Sequence, residues 1–217
     1  MKKILVTALV VMLMTPLSAH AFDWSSLFSW LLFGSETVSS KTKTVSDYSS
    51  VASDIRKDAK SADEDVTKVL LKVIPNLSTQ KDATNFESKI NALSAGNKTE
   101  SEKSTQLTQI VNDYATNIQN NKLVVIVTIK TLSDTDKKEL SNSINSLSQD
   151  AQKYTELAKK AYNQSKDLQK YTEQSDEQTK VLNEINNVNT ELKNKSDAVQ
   201  KLTTTLKLFG KLGGLEK

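Results

Sequence analysis

Apolar residues recur at intervals of seven along most of this chain, in paired rows three or four positions apart. That period belongs to helices packed side by side. Val38, Val45, Ala52, Ala59, Val66 and Val73 form one row, and Tyr48, Ile55, Ala62 and Val69 form its partner. The alanines in this seam predict close helix approach. Pro75 is expected to end the helix, because proline has no N–H to continue the ladder. A short second helix is predicted from Ser78 to about Ala95, with Ala83, Phe86, Ile90 and Leu93 on one face and Gly96 as its stop. Thr99-Glu100-Ser101-Glu102 has capping-box spacing and opens a third helix, whose seam runs Leu107, Val111, Tyr114, Ile118, Val125 and Leu132. Asn121 interrupts that seam. Ser133-Asp134-Thr135-Asp136 reads as a turn and a new N-cap. A fourth helix then places Leu140, Leu147, Tyr154, Ala161 and Leu168 at strict sevens, with Ile144, Ala151 and Ala158 opposite.

Every residue from Thr172 to Thr179 is polar, and beyond it the seam resumes one position out of register. Its rows are Val181, Val188, Leu202 and Phe209, and Ile185, Leu192, Val199 and Leu206. Ser175-Asp176-Glu177-Gln178 can cap a fresh helix, so a break is preferred here to one continuous helix with a local shift. From Asn97 to Phe209 there is neither glycine nor proline, which leaves almost no place for hairpins. The pattern predicts an all-α fold, an elongated antiparallel helical bundle or coiled coil of four to five helices. It would occupy residues 36–209, followed by a Gly/Lys tail over 210–217.

The first 33 residues stand outside these seams. Lys2 and Lys3, the apolar stretch Ile4 to Met14, and Ala19-His20-Ala21 have the layout of a bacterial export signal cleaved after residue 21. The protein is therefore expected to be exported, to the periplasm or the medium. An aromatic apolar segment over 22–35 follows, with Phe22, Trp24, Leu27, Phe28, Trp30, Leu31, Leu32 and Phe33 as candidate contact residues for a membrane or a partner. As a helix, twelve residues span roughly 18 Å, enough to lie in a membrane interface but not to cross it. Covering one end of the bundle is the alternative use, and the sequence leaves both open.

Composition then removes chemistries. There is no cysteine, so disulfides, thiolate metal sites and thiol nucleophiles are absent. The single histidine, His20, lies in the expected signal, which leaves the remainder without an imidazole base or ligand. Without Lys2 and Lys3 the chain carries 27 basic residues against 26 acidic ones, and Arg56 is its one arginine. No basic face fit for nucleic acid is visible. Asp63-Glu64-Asp65 lacks the spacing of a calcium loop and reads as a solvated helix face. No cofactor and no metal site are expected.

Two further stretches carry more than one meaning. Leu123-Val124-Val125-Ile126-Val127-Thr128-Ile129 is the one continuous apolar run of the body. Burial on all sides where helices meet is the preferred reading, and a membrane-inserting or β-rich element is the sharper one. From Lys201 to Lys217, leucines alternate with lysines. That pattern suits either a basic membrane-binding tail or, preferably, a last helical turn with lysines at the negative dipole end, closed by Gly210. Scattered surface carboxylates and the lack of any catalytic motif argue against an enzyme. The leading expectation is an exported, non-enzymatic helical protein acting through protein–protein interaction or self-association. The alternative is a membrane-active protein using Phe22–Phe33 and Leu123–Ile129, similar in layout to the α-helical pore-forming toxins. That likeness is one of architecture and rests on no motif.

Overall fold

The computed structural model describes residues 44–95, 97–170 and 175–215. The expected signal, the Phe22–Phe33 segment, Val38, Gly96 and residues 171–174 lie outside the described residues. A 3-10 turn, Val45–Tyr48, leads into six α-helices. They are α1 (Val51–Leu77), α2 (Gln80–Asn91), α3 (Glu100–Asn120), α4 (Lys122–Thr131), α5 (Asp134–Leu168) and α6 (Asp176–Gly213). Among the described residues there is no strand. The fold is an all-α helical bundle.

The heptad rows become the core. Ala52, Ala59, Val66 and Val73 are buried with Tyr48, Ile55, Ala62 and Val69, and so are Leu140, Leu147, Tyr154, Ala161 and Leu168. On α6 both rows are buried apart from Val181, which is partly covered. Among the described residues each seam is covered within this one chain, with Val45, Leu132 and Val181 only partly buried. Ordinary burial of some forty such side chains supplies most of the stabilisation.

Polar ties give the directions. α5 and α6 form an antiparallel hairpin, with Ser165 donating to Asn186 Oδ1 at 2.7 Å near its closed end and Ser196 donating to the Ala151 carbonyl at 3.0 Å farther along. Arg56 of α1 reaches Glu184 and Glu191 of α6, and Lys195 of α6 reaches Asp63, so α1 runs parallel to α6. Ser101 to Glu191 and Gln119 to Thr205 show that α3 does the same. The short α2 makes this possible by carrying the chain back between α1 and α3.

Four boundaries differ from the sequence reading, the first being that α2 ends at Asn91, with Ala92 as its cap, and not near Ala95. α1 continues through Pro75 to Leu77, since a proline so near the end removes one N–H while the Leu71 carbonyl it leaves belongs to a partly exposed residue. The expected single third helix is two helices, α3 and α4, which raises the count beyond four to five. α6 runs past Gly210 to Gly213. Gly214, at φ 84°, provides the left-handed cap, with its N–H on the Gly210 and Lys211 carbonyls. The break before Asp176 is present. Ser175 caps α6 by accepting from the Gln178 N–H, and α5 stops at Leu168.

Candidate contact surface

The division between α3 and α4 originates at Asn121. Its backbone N–H and its side-chain Nδ2 both donate to the Asn117 carbonyl, at 3.0 and 2.9 Å, and its φ, ψ of −101°, 24° fall outside the helix. An asparagine competing for its own turn's carbonyl interrupts a helix in this way. α4 restarts at once and closes at Leu132, where Lys137 donates to the Lys130 carbonyl at 3.2 Å.

α4 packs on the last turns of α6. A methyl group on Gly213 would collide with the Ile129 side chain and meet the Ile126 carbonyl at 3.4 Å, so glycine here permits the close approach. Val125 and Ile129 are fully buried, and Ile126 is partly covered. The opposite side of the helix is not. Leu123 is 77%, Val124 56% and Val127 59% exposed. On the adjoining end of α6, Leu208 and Leu212 are about half exposed. The expected all-round burial of Leu123–Ile129 therefore fails for three of its seven residues, Leu123, Val124 and Val127. Seven residues, six of them apolar, cover every direction of a helix, whereas its neighbours here cover only one side. One exposed leucine means little, but three large exposed aliphatics on one short helix form an apolar patch of the kind found at contact surfaces.

A second group of residues lies inside the bundle. Lys195, 1% exposed, pairs with Asp63 Oδ1 at 2.7 Å, and its ammonium sits 5.0 Å from the centre of the Tyr154 ring. Tyr154 donates to the same Asp63 oxygen at 2.6 Å. Burial first, then the Asp63 charge and hydrogen bond, push the phenol well above its ordinary range and keep it neutral. Asp150 lies nearby on α5, with its Oδ2 enclosed and lacking a hydrogen-bond partner. Burial, followed by the charge of Asp65, raises its carboxyl to about 6, against the opposing pull of Lys153. Asp63 thus departs from the solvated face expected of Asp63-Glu64-Asp65, while Glu64 and Asp65 remain exposed. The alanine seam lets α6 come close enough for a lysine to reach across. Chemically the group is a latch: the lysine is held by its carboxylate and the phenol serves as a donor. Among the described residues, no group of three or more His, Cys, Asp or Glu side chains could hold a metal ion.

Lys195 was detectable in the sequence as the missing member of the row Val188, Leu202 and Phe209. A charged residue at an apolar heptad position signals a buried ion pair. The exposed side of α4 had no such signal, because periodicity cannot count neighbours. Between α3 and α6 runs a third feature, a groove lined by Ser104, Thr108, Asn112, Thr190, Glu191 and Asn194, among others. Its lining side chains are polar or charged apart from Ala198. No family model matches the chain, and neither the curated proteins nor the solved structures compared with it gave a match.

Proposed function

We propose that this is a non-enzymatic helical protein that works by attachment, with the outer side of α4 as a contact surface. The observation that carries this reading is the exposure of Leu123, Val124 and Val127 on a bundle whose other apolar rows are internally satisfied. The described heptad seams are covered within the chain, so the exposed side of α4 is the better-supported contact surface. Interaction through the α4 side keeps its basis, and Phe22–Phe33 remains proposed as a second contact element with export as its setting. An attachment protein needs a rigid frame and a small apolar surface held in water at some cost, and both features support the reading.

The test is a chain with Leu123→Ser, Val124→Ser and Val127→Ser. It should elute earlier than the parent from a weakly hydrophobic support while keeping the same helical circular dichroism. Unchanged retention would show that the α4 side is not an available contact surface.

A further inference from the structure

We infer that the occupant of the α4 side is an anionic lipid surface, a step that rests on the attachment reading above. Charge selects this occupant. α4 and its flanks from Asn121 to Leu132 carry Lys122 and Lys130 and no acidic residue. The adjoining stretch of α6 from Gln200 to Leu215 carries Lys201, Lys207 and Lys211, again with none. In these two stretches Lys122, Lys130 and Lys211 accompany five exposed aliphatics, while Lys201 lines the groove beside α3 and Lys207 reaches Ser148 of α5. The nearest carboxylates in sequence are Asp197 and Glu216, which flank the second stretch, and those that open α5. Asp134 and Asp136 sit in its first turn, where they complement the helix N-terminus. Asp136 and Glu139 line the groove between α1 and α5, beside Lys68 and Lys72.

Apolar side chains bordered by lysines suit a membrane interface. The aliphatics enter the acyl boundary, and the long lysine stems reach back to anionic headgroups. No described helix is long and apolar enough to cross a membrane, so the contact is peripheral. Val125, Ile129 and Gly213 stay packed against the bundle, so α4 lies flat on the lipid without leaving the protein.

The absence of native cysteine allows a direct test on the full chain. A polarity-sensitive fluorophore is attached at Val127→Cys, at Leu212→Cys, or at Glu64→Cys on the exposed face of α1. Each chain is then mixed with phosphatidylglycerol or phosphatidylcholine vesicles. The proposal expects a blue shift and a severalfold intensity rise at 127 and 212 but not at 64. The effect should be strong on phosphatidylglycerol and lost as salt approaches ~0.5 M. Vesicle binding that leaves the 127 probe in water would place the membrane contact elsewhere, as in Phe22–Phe33, and overturn the proposal. A shift equally large on phosphatidylcholine removes the role of the lysines and overturns it as well. A concentration-dependent shift without vesicles assigns the surface to a second copy. If no vesicle binds and the serine variant still elutes early, the lipid inference fails while attachment through α4 stands.

Discussion

Asp150 is the residue on which the interior is least comfortable. A carboxyl held near 6 in the folded chain and near 4 in the unfolded one retains its proton preferentially when folded. Folding stability therefore declines as pH rises from about 4 through about 6, and the deficit persists above that. Asp150→Asn should raise stability at pH 7 by up to ~3 kcal/mol and change little near pH 4. Urea unfolding of both chains from pH 4 to pH 8 tests this, and a pH-independent difference would refute it. Removing the Lys195 side chain acts in the other direction, by lowering stability. Lys195→Ala leaves a cavity and removes the counter-charge of Asp63, and should cost about 3 kcal/mol. Lys195→Met should cost less, because it refills the volume while Asp63 keeps the Tyr154 hydroxyl and some water. Denaturant midpoints of the three chains give the ranking, and equal losses would remove the distinction between charge and packing. Both residues were legible only in part. Lys195 occupies a heptad gap, but nothing along the chain marks which carboxylates face it.

The helices themselves follow from local chemistry wherever that chemistry is self-contained. Thr99 and Glu102 form the capping box that their spacing predicts, with the Thr99 N–H on Glu102 Oε2 at 2.7 Å. Ser133 and Ser175 cap α5 and α6 as their sequences suggest. What local reading missed was decided by neighbours. Asn121 looked like a blemish in a seam and is a helix boundary. Gly210 looked like a stop, but the helix passes through it because Gly213 and Gly214, three and four residues later, provide the close approach and the cap. Gly213→Ala should destabilise by about 1–3 kcal/mol through overpacking against Ile129. The loss should shrink in an Ile129→Ala background, where the collision is absent. A thermal double-mutant cycle reads this coupling, and additive effects would show that α4 does not rest on Gly213 as described.

At the scale of the whole molecule, the sequence pattern and the structure agree on the helical bundle because heptad periodicity depends on relative position alone. They part over the surface, because exposure depends on how many neighbours a helix finds. α4 is the clearest case: its apolar run signals burial, yet the bundle has only one side to offer it. Two tasks are therefore separate: the internal seams hold the fold, and the outer side of α4 is the proposed contact surface. The Leu123→Ser, Val124→Ser and Val127→Ser chain tests that separation when its unfolding midpoint and its bound fraction on phosphatidylglycerol vesicles are measured on the same preparation. The account predicts a midpoint within a few degrees of the parent and a bound fraction reduced severalfold. An unchanged bound fraction, or a midpoint lowered by ten degrees or more, would contradict it.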